Sequence, residues 1–232
     1  MPPTNWQPAT VVNISQETST AKTFRLHLKY PSTHLPGQHY IVKLTGPDGY
    51  TASRSYSVAS APDGSNDIEL TVERLPGGEV STFLHDEATI GDEFQVRGPI
   101  GGWFVWTADR PALLIGGGSG VVPLMAMLRY ARQQNVADIV RLIVSVRAPE
   151  RLYYAHELPG PESTVIYTRA APVGQRRPPS RISPADLEPL LLGNATVYIC
   201  GSSPFADAAT DAATTIGVDV ERIRVERFGP TG

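Results

Sequence analysis

A chain of 232 residues that is 41% hydrophobic and 19% charged, with 21 glycines and 21 prolines, has a globular composition; that length suits one large domain or two smaller ones and excludes a disordered or collagen-like chain. Its formal charge is -3, with 20 basic and 23 acidic residues interspersed, and it lacks the basic cluster that holds nucleic acid or an anionic membrane. A single cysteine and five histidines without metal-ligand spacing leave no internal disulfide, no cysteine-ligated cluster and no metal site.

The first residues lack a basic-then-apolar leader, and no apolar run approaches the roughly 18 residues of a membrane span. The chain is read as soluble and cytoplasmic. From Trp6 to about Gly98 apolar residues alternate in short segments divided by turn residues, the period of half-buried antiparallel strands. Six strands fit, near 10–14, 23–28, 39–44, 53–58, 68–73 and 93–97, with turns at Pro36-Gly37, Gly46-Pro47-Asp48-Gly49 and Pro62-Asp63-Gly64. Their spacing predicts a six-stranded antiparallel β-barrel. Within it, Val80, Phe83 and Leu84 recur at helical spacing, so 79–85 is expected to be a short capping helix.

After Trp106 the pattern changes. Apolar runs at 112–115, 139–146, 165–167, 197–200 and 223–225 alternate with helical stretches at 121–134 and 205–216, the mark of an α/β doubly wound parallel sheet. Glycine and proline at Pro99-Ile100-Gly101-Gly102 precede the switch of period, which divides the chain into domains 1–106 and 107–232.

Between the first run of the second half and its helix lies Gly116-Gly117-Gly118-Ser119-Gly120-Val121-Val122-Pro123. Glycines let the backbone approach a ligand closely, and a helix N-terminus presents unpaired N–H groups to an anion. A phosphate or pyrophosphate fits at Gly118, Ser119 and Gly120; a purely structural tight turn is the alternative, because Val121 and the missing lysine depart from the usual phosphate-binding patterns. Ser119 is not a hydrolase nucleophile, since Val121 breaks G-x-S-x-G. At the ribose end, Arg147 follows the next strand and Arg169 the one after it, with Arg176 and Arg177 beyond. An NADH site usually has an acidic residue there, so Arg147 and Arg169 tilt the reading slightly from NADH towards NADPH, with solvated loop arginines as the alternative.

Arg54-Ser55-Tyr56-Ser57 resembles the R-x-Y-S flavin motif of the ferredoxin–NADP reductase family. Further blocks follow in that family's order: Leu75 to Ser81, with Gly78 and Ser81 as its Gly-x-x-Ser; Gly91-Asp92; Gly98 to Gly101; Gly116 to Pro123; Cys200-Gly201-Ser202-Ser203-Pro204; and Glu226-Arg227-Phe228. The resemblance spans almost the whole chain. It implies FAD on the barrel, held by Arg54, Tyr56, Ser57, Val72, Gly78, Val80 and Ser81, with Arg74 at the diphosphate or facing solvent. It implies NADPH or NADH on the second domain at Gly118, Ser119, Gly120, Cys200 and Gly201, with Ser57, Cys200 and Glu226 as the polar set around the reacting atoms. Cys200 would position rather than attack. Phe228 would match an aromatic that stacks on flavin, although Gly229 to Gly232 follow it here. Residue chemistry agrees: arginine offers a fork of donors, tyrosine a flat face and serine a hydroxyl. On a regular strand, however, Tyr56 and Ser57 face opposite sides, so both can touch a flavin only at a distortion or strand end.

The expected activity is an FAD-dependent oxidoreductase passing a hydride from NAD(P)H to FAD and electrons to a separate acceptor, a ferredoxin or oxygenase component. Two alternatives stand beside it: a reductase of free flavin, and a non-catalytic nucleotide-binding electron-transfer subunit. His39 beside the flavin strand is read as structural. The oligomeric state stays open, a monomer being the simplest reading.

Overall fold

A computed structural model describes residues 5–228. The first sheet comprises β1 (Gln7–Thr18), β2 (Ala21–Leu28), β3 (His39–Thr45), β4 (Thr51–Ser57), β5 (Asp67–Glu73) and β6 (Glu93–Ile100). Their order is β4-β3-β6-β1-β2-β5, and every pairing is antiparallel. The ends meet where Val58 bridges Leu70 and the Ala59 N–H donates to the Glu69 carbonyl at 2.8 Å, closing a barrel. Alternation decides what fills it: Phe24, Leu26 and Leu28, Tyr40 and Val42, and Ile68, Leu70 and Val72 all point inward. The helix α1 (Glu79–Asp86) lays Val80 and Leu84 over this core, and the His85 Nε2 lies 2.9 Å from the Val72 carbonyl.

The second sheet comprises β7 (Ala112–Gly117), β8 (Val140–Val146), β9 (Ser163–Tyr167), β10 (Thr196–Ser202) and β11 (Ile223–Phe228). It is wholly parallel, in the order β11-β10-β7-β8-β9. Successive residues of each strand serve opposite layers. Leu114, Leu142, Tyr198 and Cys200 face the layer of α2 (Val121–Gln133), whereas Leu113, Ile143, Val197 and Ile199 face the alanine-rich α4 (Ser203–Thr215). Covering both faces is what makes these strands continuously apolar. A four-residue helix, α3 (Pro184–Leu187), is too short to carry a period; the Ser183 N–H donating to Asp186 Oδ2 at 2.9 Å caps it. Strand order reverses between β7 and β10, so a crevice opens at their carboxyl ends, where such sheets bind ligands.

The α2 layer also takes in Ala21, Ala59, Phe104 and Trp106 from the barrel side, and this joins the two sheets through one apolar layer. Gly37, at φ +98°, is pinned there: a Cβ at this position would lie 1.9 Å from the Phe104 carbonyl oxygen. Gly37→Ala is therefore expected to combine left-handed strain with overpacking and to cost about 2–4 kcal/mol, read as a lowered denaturation midpoint.

Candidate functional site

The glycine-rich stretch leaves β7 through a 3-10 turn, Gly118–Gly120, and enters α2 directly. Two of its glycines are demanded by close approach. A Cβ on Gly120 would fall 2.0 Å from the Cys200 carbonyl oxygen, and one on Gly117 would sit 2.6 Å from the Phe205 ring. Gly118 differs: it has φ +55° and nothing within 4 Å of where a Cβ would be, so its backbone is open to a ligand at the start of the helix. The turn is thus closely packed at Gly117 and Gly120 and open at Gly118.

Parallel register sets Cys200 beside Gly116 on one side and Glu226 on the other. Cys200 faces the α2 layer, and Phe228 packs against the same layer. Cys200 is fully buried. Burial pushes its thiol well above the ordinary value and the neighbouring Glu226 carboxylate pushes it further, which suits positioning and opposes nucleophilic attack. Burial also raises the Glu226 carboxyl from 4.5 to about 7, and its Oε2 is buried without a hydrogen-bond partner. A buried polar atom left unpaired in a crevice is what a polar ligand would satisfy. Gly201 is the penultimate residue of β10, and a Cβ there would lie 2.7 Å from the Phe205 ring.

On the barrel side, Arg54 pairs with Val42 and Tyr56 with Tyr40, so both lie on the inward face of the sheet, at the edge where β4 parts from β5. Arg54 is exposed, with one Nη1 bond of 2.7 Å to the Ser53 carbonyl. Tyr56 is half-buried, and burial raises its hydroxyl pKa against the pull of Arg54. Ser57 is buried at the last position of β4, opposite His39. That strand end supplies the break in alternation which the sequence pattern required. Among the described residues no hydrogen bond joins Ser57 to Cys200 or Glu226. Burial lowers the pKa of His39.

The helix α1 packs against β4 and β5 and begins at Gly78, which has no side-chain cap. Gly77, at φ +71°, has open space beside it. Several side chains here are already engaged. The Ser81 hydroxyl donates to the Gly78 carbonyl at 3.1 Å and accepts from the Leu75 N–H at 3.2 Å. Arg74 forks onto Asp86 at 2.7 and 3.1 Å. Val72 and Val80 bury their side chains in the barrel core, because alternation and the helical stripe turn them inward, so their main chain is what they offer a ligand. Arg147 and Arg169 are exposed and adjacent, the Arg169 N–H donating to the Arg147 carbonyl at 3.0 Å. Arg177 instead grips Asp186 at 2.6 and 2.8 Å and belongs to the loop's own structure.

Residues 8–105 match the oxidoreductase FAD-binding domain and residues 114–211 the oxidoreductase NAD-binding domain. The chain belongs to the ferredoxin–NADP reductase family. Within that family it is 30% identical to the glycine betaine monooxygenase reductase subunit of Chromohalobacter salexigens, over 95% of this chain and 63% of that protein. It is 26% identical to the ferredoxin–NAD(P)(+) reductase component of the naphthalene 1,2-dioxygenase system of Pseudomonas putida, over 96% and 69%. The structure of the Amycolatopsis cytochrome P450 reductase GcoB superposes with a TM-score of 0.82 at 26% identity, over 98% of this chain and 71% of that one. The chain thus spans less than two thirds of the length of the glycine betaine relative. Among the described residues no helix is long and apolar enough to cross a membrane, and no cluster of His, Cys, Asp or Glu could hold a metal ion.

The open backbone at Gly118 and Gly77 and the orphaned carboxylate oxygen of Glu226 fit two nucleotides entering from the two domains. Sequence reasoning missed the polar side chains that join the two domains, Arg129, Tyr154 and Glu157, for which no motif exists. Tyr153-Tyr154 in a stretch without period was the one available sign of burial. Because the folded pKa of Glu226 lies above its unfolded value, its stabilising contribution is full below about 4.5 and is lost as pH rises to about 7. Melting temperatures of the ligand-free wild type and Glu226→Gln should therefore show the wild type losing ground relative to the variant between those limits and holding level above them.

Proposed function

We propose that this chain is an NAD(P)H-dependent flavoprotein oxidoreductase that accepts a hydride from NAD(P)H on FAD and passes electrons to a separate protein, a ferredoxin or an oxygenase component. The observation that carries the reading is the crevice at the β7/β10 reversal, where the buried, unpaired Glu226 carboxyl adjoins Cys200 on the face turned to the barrel. Oxygenase-system reductases among the relatives support the choice of acceptor. We place the domain division at 106/107, between the two matched segments.

When bound, the two cofactors supply the redox chemistry, in which two electrons and a proton cross as a hydride and the electrons leave to the acceptor. The chain's part is orientation. Arg54 offers its free guanidinium nitrogens to the flavin diphosphate, and the uncapped N-terminus of α1 at Gly78 adds main-chain donors. With Ser81 and Arg74 already bonded, Ser81 serves by shaping the turn, and Arg74 by anchoring the end of β5 to α1. Tyr56 would offer its ring face to the flavin and Ser57 its hydroxyl, and the main chain of Val72 and Val80 would border the site. Gly118, Ser119 and Gly120 receive the nicotinamide nucleotide's pyrophosphate. Arg147 and Arg169 face its ribose end and favour a 2′-phosphate, hence NADPH over NADH. Cys200, Gly201 and Glu226 border the nicotinamide, with Phe228 closing the edge.

The protein purified without added cofactor is expected to carry one FAD per chain and to lose its flavin absorbance when NADPH or NADH is added anaerobically. A colourless protein that oxidises NAD(P)H only with free flavin present would replace this reading by that of a flavin reductase. Flavin that neither nucleotide reduces would favour the non-catalytic subunit. Ser57→Ala should slow flavin reduction about 10- to 100-fold with FAD retained, the loss of one oriented donor. Removing both Arg147 and Arg169 should raise the KM for NADPH about 10-fold or more while changing that for NADH little, consistent with lost charge-assisted bonds.

A further inference from the structure

Residues of the two domains meet through a half-buried polar cluster away from the proposed cofactor crevice. Arg129, on α2, donates from Nη1 to the Ala59 carbonyl at 3.0 Å and to Glu69 Oε2 at 2.9 Å, both on the barrel. Its Nε and Nη2 grip Glu157 at 3.1 and 2.5 Å, and its guanidinium lies 4.9 Å from the centre of the Tyr154 ring. Arg132 backs Glu157 at 3.2 Å and Glu162 at 2.8 Å. Burial would push the Glu157 carboxyl up, yet Arg129 holds it below the usual range.

Tyr154 makes the second crossing. It is fully buried in a left-handed conformation, φ +56°. Its N–H donates to Glu17 Oε2 on β1 at 2.8 Å, and its hydroxyl lies 2.6 Å from Thr71 Oγ1 on β5, itself 2.8 Å from Thr23 Oγ1. A strained residue held through both its backbone N–H and its side-chain hydroxyl is a fixed point rather than a filler.

Beside this cluster the domains part: a cleft of about 490 Å³, lined by Arg25, Asp67, Glu69, Arg129, Gln133 and Glu157 among others, runs between them. Apolar packing joins the domains through the α2 layer, whereas along this cleft the contacts that cross the boundary are the directional bonds of Arg129. Both ends of the Arg129 contact lead to the proposed cofactor sites. Ala59 follows shortly after Ser57 at the end of β4, and Arg129 lies on the helix whose N-terminus adjoins Gly118–Gly120. A helix transmits displacement as a rigid lever, so rotation about Arg129 moves the glycine turn relative to Ser57.

We infer that Arg129 is a positioning residue: held between Ala59 and Glu69 of the barrel and Glu157 of the α/β domain, it latches the domains at the separation hydride transfer requires. This rests on the functional reading above. Forked, charge-assisted bonds between half-buried side chains are suited to the task because their geometry is directional, and small displacements of reacting groups reduce rate steeply.

The test uses Arg129→Met, Glu69→Gln, which removes the barrel-side charge facing Arg129 while leaving Arg129 on Glu157, and Gln133→Ala as a cleft-lining control. Two measurements are made on each. The first is the limiting rate of anaerobic flavin reduction at saturating NAD(P)H, alongside FAD content and half-saturating nucleotide concentration. The second is the distance distribution in ligand-free protein between spin labels at Val12→Cys on the barrel and Val220→Cys on the second domain, both positions being exposed. The limiting rate should fall about tenfold or more in Arg129→Met and about threefold in Glu69→Gln. FAD content and half-saturation should stay within about twofold, the distance distribution should broaden in both variants, and Gln133→Ala should match the wild type. An unchanged limiting rate in the folded variants overturns the positioning role even if distances broaden, and unchanged distances overturn the latch. Should Arg129→Met fail to fold, Glu69→Gln decides alone. A wild type that neither nucleotide reduces defeats the functional reading instead and with it the role in hydride transfer, while the distance measurement still decides the latch.

Discussion

At Gly120 the turn into α2 touches the Cys200 carbonyl so closely that no side chain fits between them. The rest of the candidate site follows from that contact. It fastens the start of one helix to the end of the neighbouring strand at the point where strand order reverses, so unpaired helix N–H groups, the buried thiol and the Glu226 carboxyl gather at one crevice. Any residue larger than glycine would push the helix away and separate donors that a nucleotide needs together.

The barrel contributes by a different device. Closure between β4 and β5 is made through Val58 and Ala59, beyond the last strand residue, Ser57. The two strands therefore diverge along Arg54 and Tyr56, and an inward-facing arginine reaches solvent instead of the core. A continuous ladder would have buried that face. The helix α1 packs against both strands beside the divergence, so an incomplete seam in the barrel is left open to a ligand.

Much of this was legible in the sequence, because the signals concerned are local. Alternation found six strands, and the change to continuous apolar runs located the parallel sheet. The glycine turn was visible, although periodicity could not say that Gly118 is open while Gly120 is wedged, since that depends on Cys200, far away in the chain. The same limit explains the side chains already spoken for. Nothing near Arg74, Ser81 or Arg177 in the sequence says that each is bound to Asp86, the Gly78 turn or Asp186. The polar contacts between domains were beyond reach for a further reason: Arg129 occupies an amphipathic helix where an arginine ordinarily faces water, and only the folded barrel supplies its acceptors.

The environment of Cys200 also bears on resistance to oxidation. The thiolate is the form that reacts with peroxide, and susceptibility follows thiolate fraction and access. Full burial and a neighbouring carboxylate suppress both at the one cysteine of the chain. A thiol kept protonated and enclosed is slow to climb to sulfenic or sulfinic acid whatever the source of peroxide, and so stays a packing surface.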